Sequence, residues 1–148
     1  ISALHISVQA HTFDSYLDNL NRLVTFIWNM LPPSADENID RIIHYVLSHP
    51  EEDLKLRTVA ERTYMNYSYL SKAFSARIGV SYTEFVGHAR FHRACYLLQH
   101  TNTLVGEIAS RLQYRDAYYF STLFKKRSGQ TPTEYRESQC IRQDYSML

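Results

Sequence analysis

The sequence predicts an all-α chain: two helix-turn-helix units joined by a long linking helix, preceded by an amphipathic linker or dimerisation helix. Three observations carry that expectation. Apolar residues recur at steps of three and four almost everywhere, the period of a helix with one buried face. Ser/Thr-x-x-Glu signatures stand at Ser34, Thr58, Ser81 and Thr131, each opening such a stretch as a helix N-terminus does. The chain also repeats itself: Tyr69, Phe74, Arg77, Gly79, Thr83 and Glu84 recur fifty residues on as Tyr119, Phe124, Arg127, Gly129, Thr133 and Glu134.

Taken in order, Phe13, Leu17, Leu20, Val24, Ile27 and Leu31 form a heptad seam. It predicts a helix over 12–31 that dimerises or docks on a neighbouring domain, and Tyr16, Leu23 and Met30 widen its stripe. Pro32 and Pro33 stop it. Ser34 and Glu37 open the next helix, with Ile39, Ile42, Ile43, Val46 and Leu47 on one face, and Pro50 ends it. Thr58 and Glu61 open a short helix to about Tyr64, followed by a turn and a helix over 69–78 stopped by Gly79. Ser81 and Glu84 open the linking helix through Phe85, Ala89, His92 and Tyr96 to about His100. At about 20 residues it measures roughly 30 Å. Residues 104–112 read as a short helix, 113–116 as a turn, and 117–128 as a helix stopped by Gly129. Thr131 opens the last helix, with Pro132 at its first position, where the missing N–H costs nothing.

Composition bounds the function. With 45% hydrophobic residues the chain can bury a core, and its two cysteines, Cys95 and Cys140, have no metal-site or disulfide spacing. That usage fits a reducing, cytoplasmic setting. No apolar run reaches the ~18–20 residues of a membrane span. The start at Ile1, without a methionine, implies a fragment of a longer protein. Net charge is +1, but residues 66–127 hold nine basic and three acidic residues, a bias compatible with a nucleic-acid partner. Three segments result: 1–35 as linker or dimerisation segment, 36–140 as the main helical domain, and 141–148 as tail.

Each repeat is a short helix, a turn of about four residues and a longer helix, with a small residue, Ala60 or Ala109, on the short helix. That is the helix-turn-helix layout, whose second helix enters the major groove. From about Asp40 to Arg136 the chain resembles the DNA-binding domain of AraC/XylS-type transcription regulators. The second repeat carries most of the likeness: Ile108-Ala109, Tyr114, Tyr119-Phe120, Phe124-Lys125-Lys126, Gly129, Thr131-Pro132 and Tyr135-Arg136. One departure stands out: Gln113 occupies a place where the family usually has Gly. If that backbone is left-handed, the side chain costs about 1 kcal/mol.

The resemblance implies a bacterial, sequence-specific transcription regulator, with double-stranded DNA and RNA polymerase as partners. The long helix holds two recognition helices about one turn of DNA, ~34 Å, apart. Removing the inward residues leaves Tyr67, Ser68, Ser71 and Lys72 in the first unit to face bases. In the second unit Ala117, Tyr118, Ser121 and Thr122 remain. Lys72 is the long donor among them, suited to guanine O6/N7 or to a phosphate. Arg90, Arg93, Arg111, Arg115, Lys125, Lys126 and Arg127 are the phosphate candidates.

No enzyme is expected: the sequence holds no phosphate-cradling glycine loop, HExxH or nucleophile elbow. His88 and His92 stand at i, i+4 but lack a third ligand at metal spacing, so no cofactor or metal is expected. The competing reading is a helical protein-interaction module with only non-specific DNA affinity.

Overall fold

The computed structural model describes residues 37–145, with side chains through 139. The heptad seam and the Ser34 signature lie outside the described residues. Among these, the elements are α1 (Glu37–Ser48), α2 (Leu56–Arg62), α3 (Tyr67–Ile78), α4 (Tyr82–His100), α5 (Val105–Arg111), α6 (Ala117–Ser128) and α7 (Pro132–Tyr145). All are helical, as the periodicity predicts.

The first unit is built on the apolar stripe of α1. Ile39, Ile42, Ile43 and Val46 are buried against α3 and α4, together with Leu54, Val59, Leu70 and Phe74. Phe74 is fully buried and meets Tyr82 and Phe85 edge-on at 5.2 and 5.3 Å. Truncating such a ring to Ala costs about 3–5 kcal/mol. The second unit repeats the plan around Ile108, Leu112, Phe120 and Phe124. Phe124 meets Tyr135 edge-on at 5.4 Å, the counterpart of the Phe74–Phe85 contact. Its ring also packs on Phe91 of α4 at 5.1 Å.

Local chemistry fixes most helix ends. Ser81 Oγ accepts from the Glu84 N–H at 3.2 Å. Thr131 and Glu134 form the full reciprocal box: Thr131 Oγ1 accepts from the Glu134 N–H at 3.2 Å, and the Thr131 N–H donates back to Glu134 at 2.8 Å. Gly79 and Gly129 end α3 and α6 in the left-handed conformation, φ 87° and 80°. The Thr58 signature is corrected. α2 starts at Leu56, and Thr58 lies inside it, its hydroxyl turned to Asp53. Asp53 instead takes the Lys55 N–H at 3.2 Å, ordering the chain before the helix.

Each unit packs chiefly within itself and onto α4. At 1.5 Å per residue, the 19 residues of α4 give a rod of about 28 Å. No described helix is long and apolar enough to cross a membrane.

Candidate nucleic-acid interface

In each unit a short helix, a turn and a capped longer helix follow one another. The helix preceding each turn closes with the same pair of bonds. Met65 N–H reaches Ala60 O at 2.9 Å and Tyr64 N–H reaches Glu61 O at 3.3 Å. In the second unit Tyr114 N–H reaches Ala109 O at 2.9 Å and Gln113 N–H reaches Ser110 O at 3.0 Å. This closure needs one left-handed residue, here Tyr64 (φ 54°) and Gln113 (φ 62°) rather than glycine. Gln113 therefore sits in the strained conformation that its place in the sequence implies.

The longer helices then start on side-chain caps. Asn66 Oδ1 accepts from the Tyr69 N–H at 3.1 Å, and Asp116 Oδ1 from the Tyr119 N–H at 2.7 Å. That backbone bond, with Arg115 beside it, holds the Asp116 carboxyl below the usual carboxylate range. The second turn is one residue longer than the first, since α2 and α5 are offset by 49 residues and α3 and α6 by 50. Sequence matching alone treats the two turns as equal.

Past the caps, the side chains separate as the inward pattern predicts. Leu70, Phe74, Phe120 and Phe124 are buried; Ala73 and Leu123 are half-buried. Tyr67, Ser68, Lys72, Ala117, Tyr118 and Thr122 are exposed, and Ser71 and Ser121 are half-buried. Tyr118 keeps 82% of its surface in solvent. Thr122 Oγ1 donates to Tyr118 O at 2.9 Å, so its hydroxyl retains only acceptor capacity while that bond holds.

The basic residues divide sharply. Arg93 is corrected: it is buried, and its Nε donates to Glu51 Oε1 at 2.7 Å. A guanidinium spent in this way in the interior is a structural charge. Arg90 is half-buried and donates to the backbone carbonyls of Pro50 and Glu52 at 3.3 and 3.1 Å, and burial lowers its pKa. Arg111 lies 3.1 Å from the same Glu51 carboxylate. Arg115, Lys125, Lys126 and Arg127 are exposed. Arg115 pairs with Asp116 at 3.0 Å and covers the Tyr119 ring at 4.7 Å.

Arg127 is the repeat partner of Arg77, and the two go different ways. Arg77 reaches Asp40 of α1 at 3.0 Å. Arg127 crosses α4 at Gly87, where an added Cβ would stand 2.6 Å from its Nη2, and bonds His88 Nδ1 at 2.9 Å. A guanidinium can only donate, so His88 accepts at Nδ1. Among the described residues no group of three or more His, Cys, Asp or Glu is placed to hold a metal.

Between the two units runs an open groove of about 960 Å³, bordered by Tyr67 on one side and by Tyr119 and Arg127 on the other. Lys55 and Arg57 line it. Neither stands out in the sequence, because both precede the segment where basic residues cluster. Glu51 is equally inconspicuous there: as a letter it is one more acid after a helix.

A family model described as a helix-turn-helix domain matches residues 59–138, more than half of the chain. YtdP, an uncharacterized HTH-type transcriptional regulator of Bacillus subtilis (strain 168), is 38% identical over 98 residues, covering 66% of this chain and 13% of that protein. AdaA of the same organism, a bifunctional transcriptional activator and DNA repair enzyme, is 31% identical over 110 residues, covering 74% of this chain and 52% of its own length. The chain thus spans about an eighth of one relative and half of the other. Among solved structures, the C-terminal domain of AraT, a response regulator from Geobacillus stearothermophilus, matches with TM-score 0.66 and 33% identity over 72% of this chain and 88% of that one. The DNA-binding domain of AdpA, solved with a target DNA, matches with TM-score 0.67 over 72% of this chain and 96% of that one. Its 23% identity speaks for the fold alone.

Proposed function

Since this chain belongs to the AraC/XylS-type helix-turn-helix family, we propose that it is the DNA-binding part of a transcription regulator that reads two adjacent major grooves with α3 and α6. The observation that carries this reading is the doubled unit on one rod. Two capped recognition helices, each presenting exposed polar residues, are held by a helix of about 28 Å, close to one turn of DNA.

In this reading Tyr67, Ser68, Ser71 and Lys72 face one subsite, and Ala117, Tyr118, Ser121 and Thr122 the other. With few long donors among them, direct readout is modest and DNA shape contributes. Phosphates are met by Arg115, Lys125, Lys126 and Arg127, joined by Lys55 and Arg57 in the groove. The domain spans 36–140, with 141–148 as its tail. Residues 12–31 supply a homodimer contact, and RNA polymerase is the protein partner, in keeping with relatives named as activators. A regulator of this kind acts in the cytoplasm and performs no catalysis.

Inserting about 5 bp between the subsites tests the reading, because half a turn moves the second subsite to the far face of the duplex. Affinity should fall to that of a single unit. Binding that tolerates the insertion unchanged would leave one unit reading DNA and the other as scaffold.

A further inference from the structure

Pro50, Glu51 and Glu52 belong to the first unit, in the loop between α1 and α2, yet their polar partners come from three other places. Arg93 of α4 donates to Glu51 Oε1 at 2.7 Å. Arg111 of α5, in the second unit, approaches the other oxygen with Nη2 at 3.1 Å and Nε at 3.2 Å. Gln113, in the second unit's turn, donates from Nε2 to the Glu51 carbonyl at 3.2 Å. Arg90 of α4 holds the Pro50 and Glu52 carbonyls on either side. The loop is anchored at its origin as well: the Tyr45 hydroxyl donates to the Glu52 carboxylate, and the Glu52 N–H reaches His49 O at 3.2 Å.

The first unit's loop is thus fastened to α1, to the linking helix and to the second unit at once. Glu51 is only 29% exposed at its side chain, between the side chains of Arg93 and Arg111, which are 10% and 39% exposed. Burial opposes its ionisation, but Arg93 and then Arg111 outweigh that and hold the carboxyl below the usual carboxylate range. The principal helix packing runs within each unit and onto α4, not between α1–α3 and α5–α7. A single rod sets the distance between two units but controls their rotation about its axis poorly. Planar guanidinium–carboxylate pairs have a fixed fork geometry and do define an angle.

We propose that Glu51 is a positioning residue for two-subsite DNA reading: it clamps the first unit's loop to Arg111 and Gln113 of the second and sets the angle at which the two recognition helices meet the duplex. Resting on the reading above, this gives Arg111 a different task from the phosphate contact expected of it. It also gives Gln113 a reason to occupy a left-handed position that glycine would fill without strain.

Binding of the full chain is measured on DNA whose subsite spacing is cognate, changed by one base pair, or changed by half a turn, over a range of salt. One base pair rotates the second subsite by about 35°. In Glu51→Gln, Arg111→Gln and Gln113→Gly, the preference for cognate spacing over the one-base-pair changes should fall about fivefold, with the salt slope unchanged. Gln113→Gly leaves the buried Arg93–Glu51 pair intact, so it remains informative if Glu51→Gln folds poorly. An unchanged spacing profile in the folded variants overturns the clamp. So does a uniform loss in Arg111→Gln with the salt slope lower by about one unit, the signature of a phosphate contact.

A second measurement needs no DNA. Spin labels on Glu61→Cys and Glu107→Cys, one per unit, in a chain with Cys95 and Cys140 replaced by Ala, should give a narrow distance distribution that broadens in Arg111→Gln, which removes the fork that defines the angle. An unbroadened distribution refutes the clamp. A wild type indifferent to the half-turn insertion refutes two-subsite reading instead, and the label distances then still decide whether the clamp exists.

Discussion

Tyr64 and Gln113 hold equivalent positions, and replacing each with glycine should give different results for a reason visible in the structure. Both are left-handed, at φ 54° and 62°, and both close their helices with the same bonds. A side chain in that region costs about 1 kcal/mol relative to glycine. Tyr64 is 98% exposed and its side chain makes no hydrogen bond or ring contact among the described residues, so Tyr64→Gly should stabilise the domain by about that amount. For a domain near 100 residues, the melting temperature should rise by about 4 °C or more. Gln113→Gly gains the same relief but loses the bond from Nε2 to Glu51 O, worth about 0.5–1 kcal/mol. Its net change should lie close to zero. Urea titrations of the two variants and the parent measure both values, and the difference between them isolates the Gln113 bond. Equal gains in the two variants would mean that bond contributes nothing. A Tyr64→Gly variant less stable than the parent would mean the first turn is built differently.

Acid should weaken the fold through Glu51. A carboxyl whose folded pKa lies below its unfolded value stabilises fully above the unfolded value, and that contribution is lost as pH falls through the folded one. Urea midpoints between about pH 5 and 2 should therefore fall less steeply for Glu51→Gln than for the parent. Burial pushes the Cys95 thiol up to about 11, so alkylation at pH 8 should be far slower than in the urea-unfolded chain. Equal rates would mean the thiol is open to solvent. For the seam at 12–31, sedimentation should show a dimer that Leu20→Asp converts to monomer; two monomers of unchanged shape would end the dimer proposal.

The features most legible in the sequence are those that one side chain or one period decides. Gly79 and Gly129 mark their stops because a left-handed cap favours glycine, and α4 and α6 begin and end where the signatures place them. Thr58 misleads because a capping-box pattern does not by itself place a helix start: α2 begins at Leu56, and Asp53 takes both the Lys55 N–H and the Thr58 hydroxyl. The inward faces of α3 and α6 follow from Leu70, Phe74, Phe120 and Phe124, whose helical spacing determines which neighbours stay exposed. Charge was much less legible. Arg93 and Lys72 look alike as letters, and only the position of Glu51, 42 residues before Arg93 in the chain, makes one of them structural.

The two units also show how a repeated sentence comes to say two things. Arg77 and Arg127 are the same letter in the same frame, but only the first unit has α1, and with it Asp40, as a partner. Lacking that acid, Arg127 lies across Gly87 and bonds His88 on the linking helix. The turns diverge for the same kind of reason. In the first unit the left-handed residue points into solvent; in the second, Gln113 at the equivalent position reaches the first unit's loop. Each difference lies where one unit meets something the other has no equivalent of. Repetition therefore preserves the parts that make a recognition helix, the buried rings, caps and glycine stops. The residues that have departed from it hold one copy in register with the other.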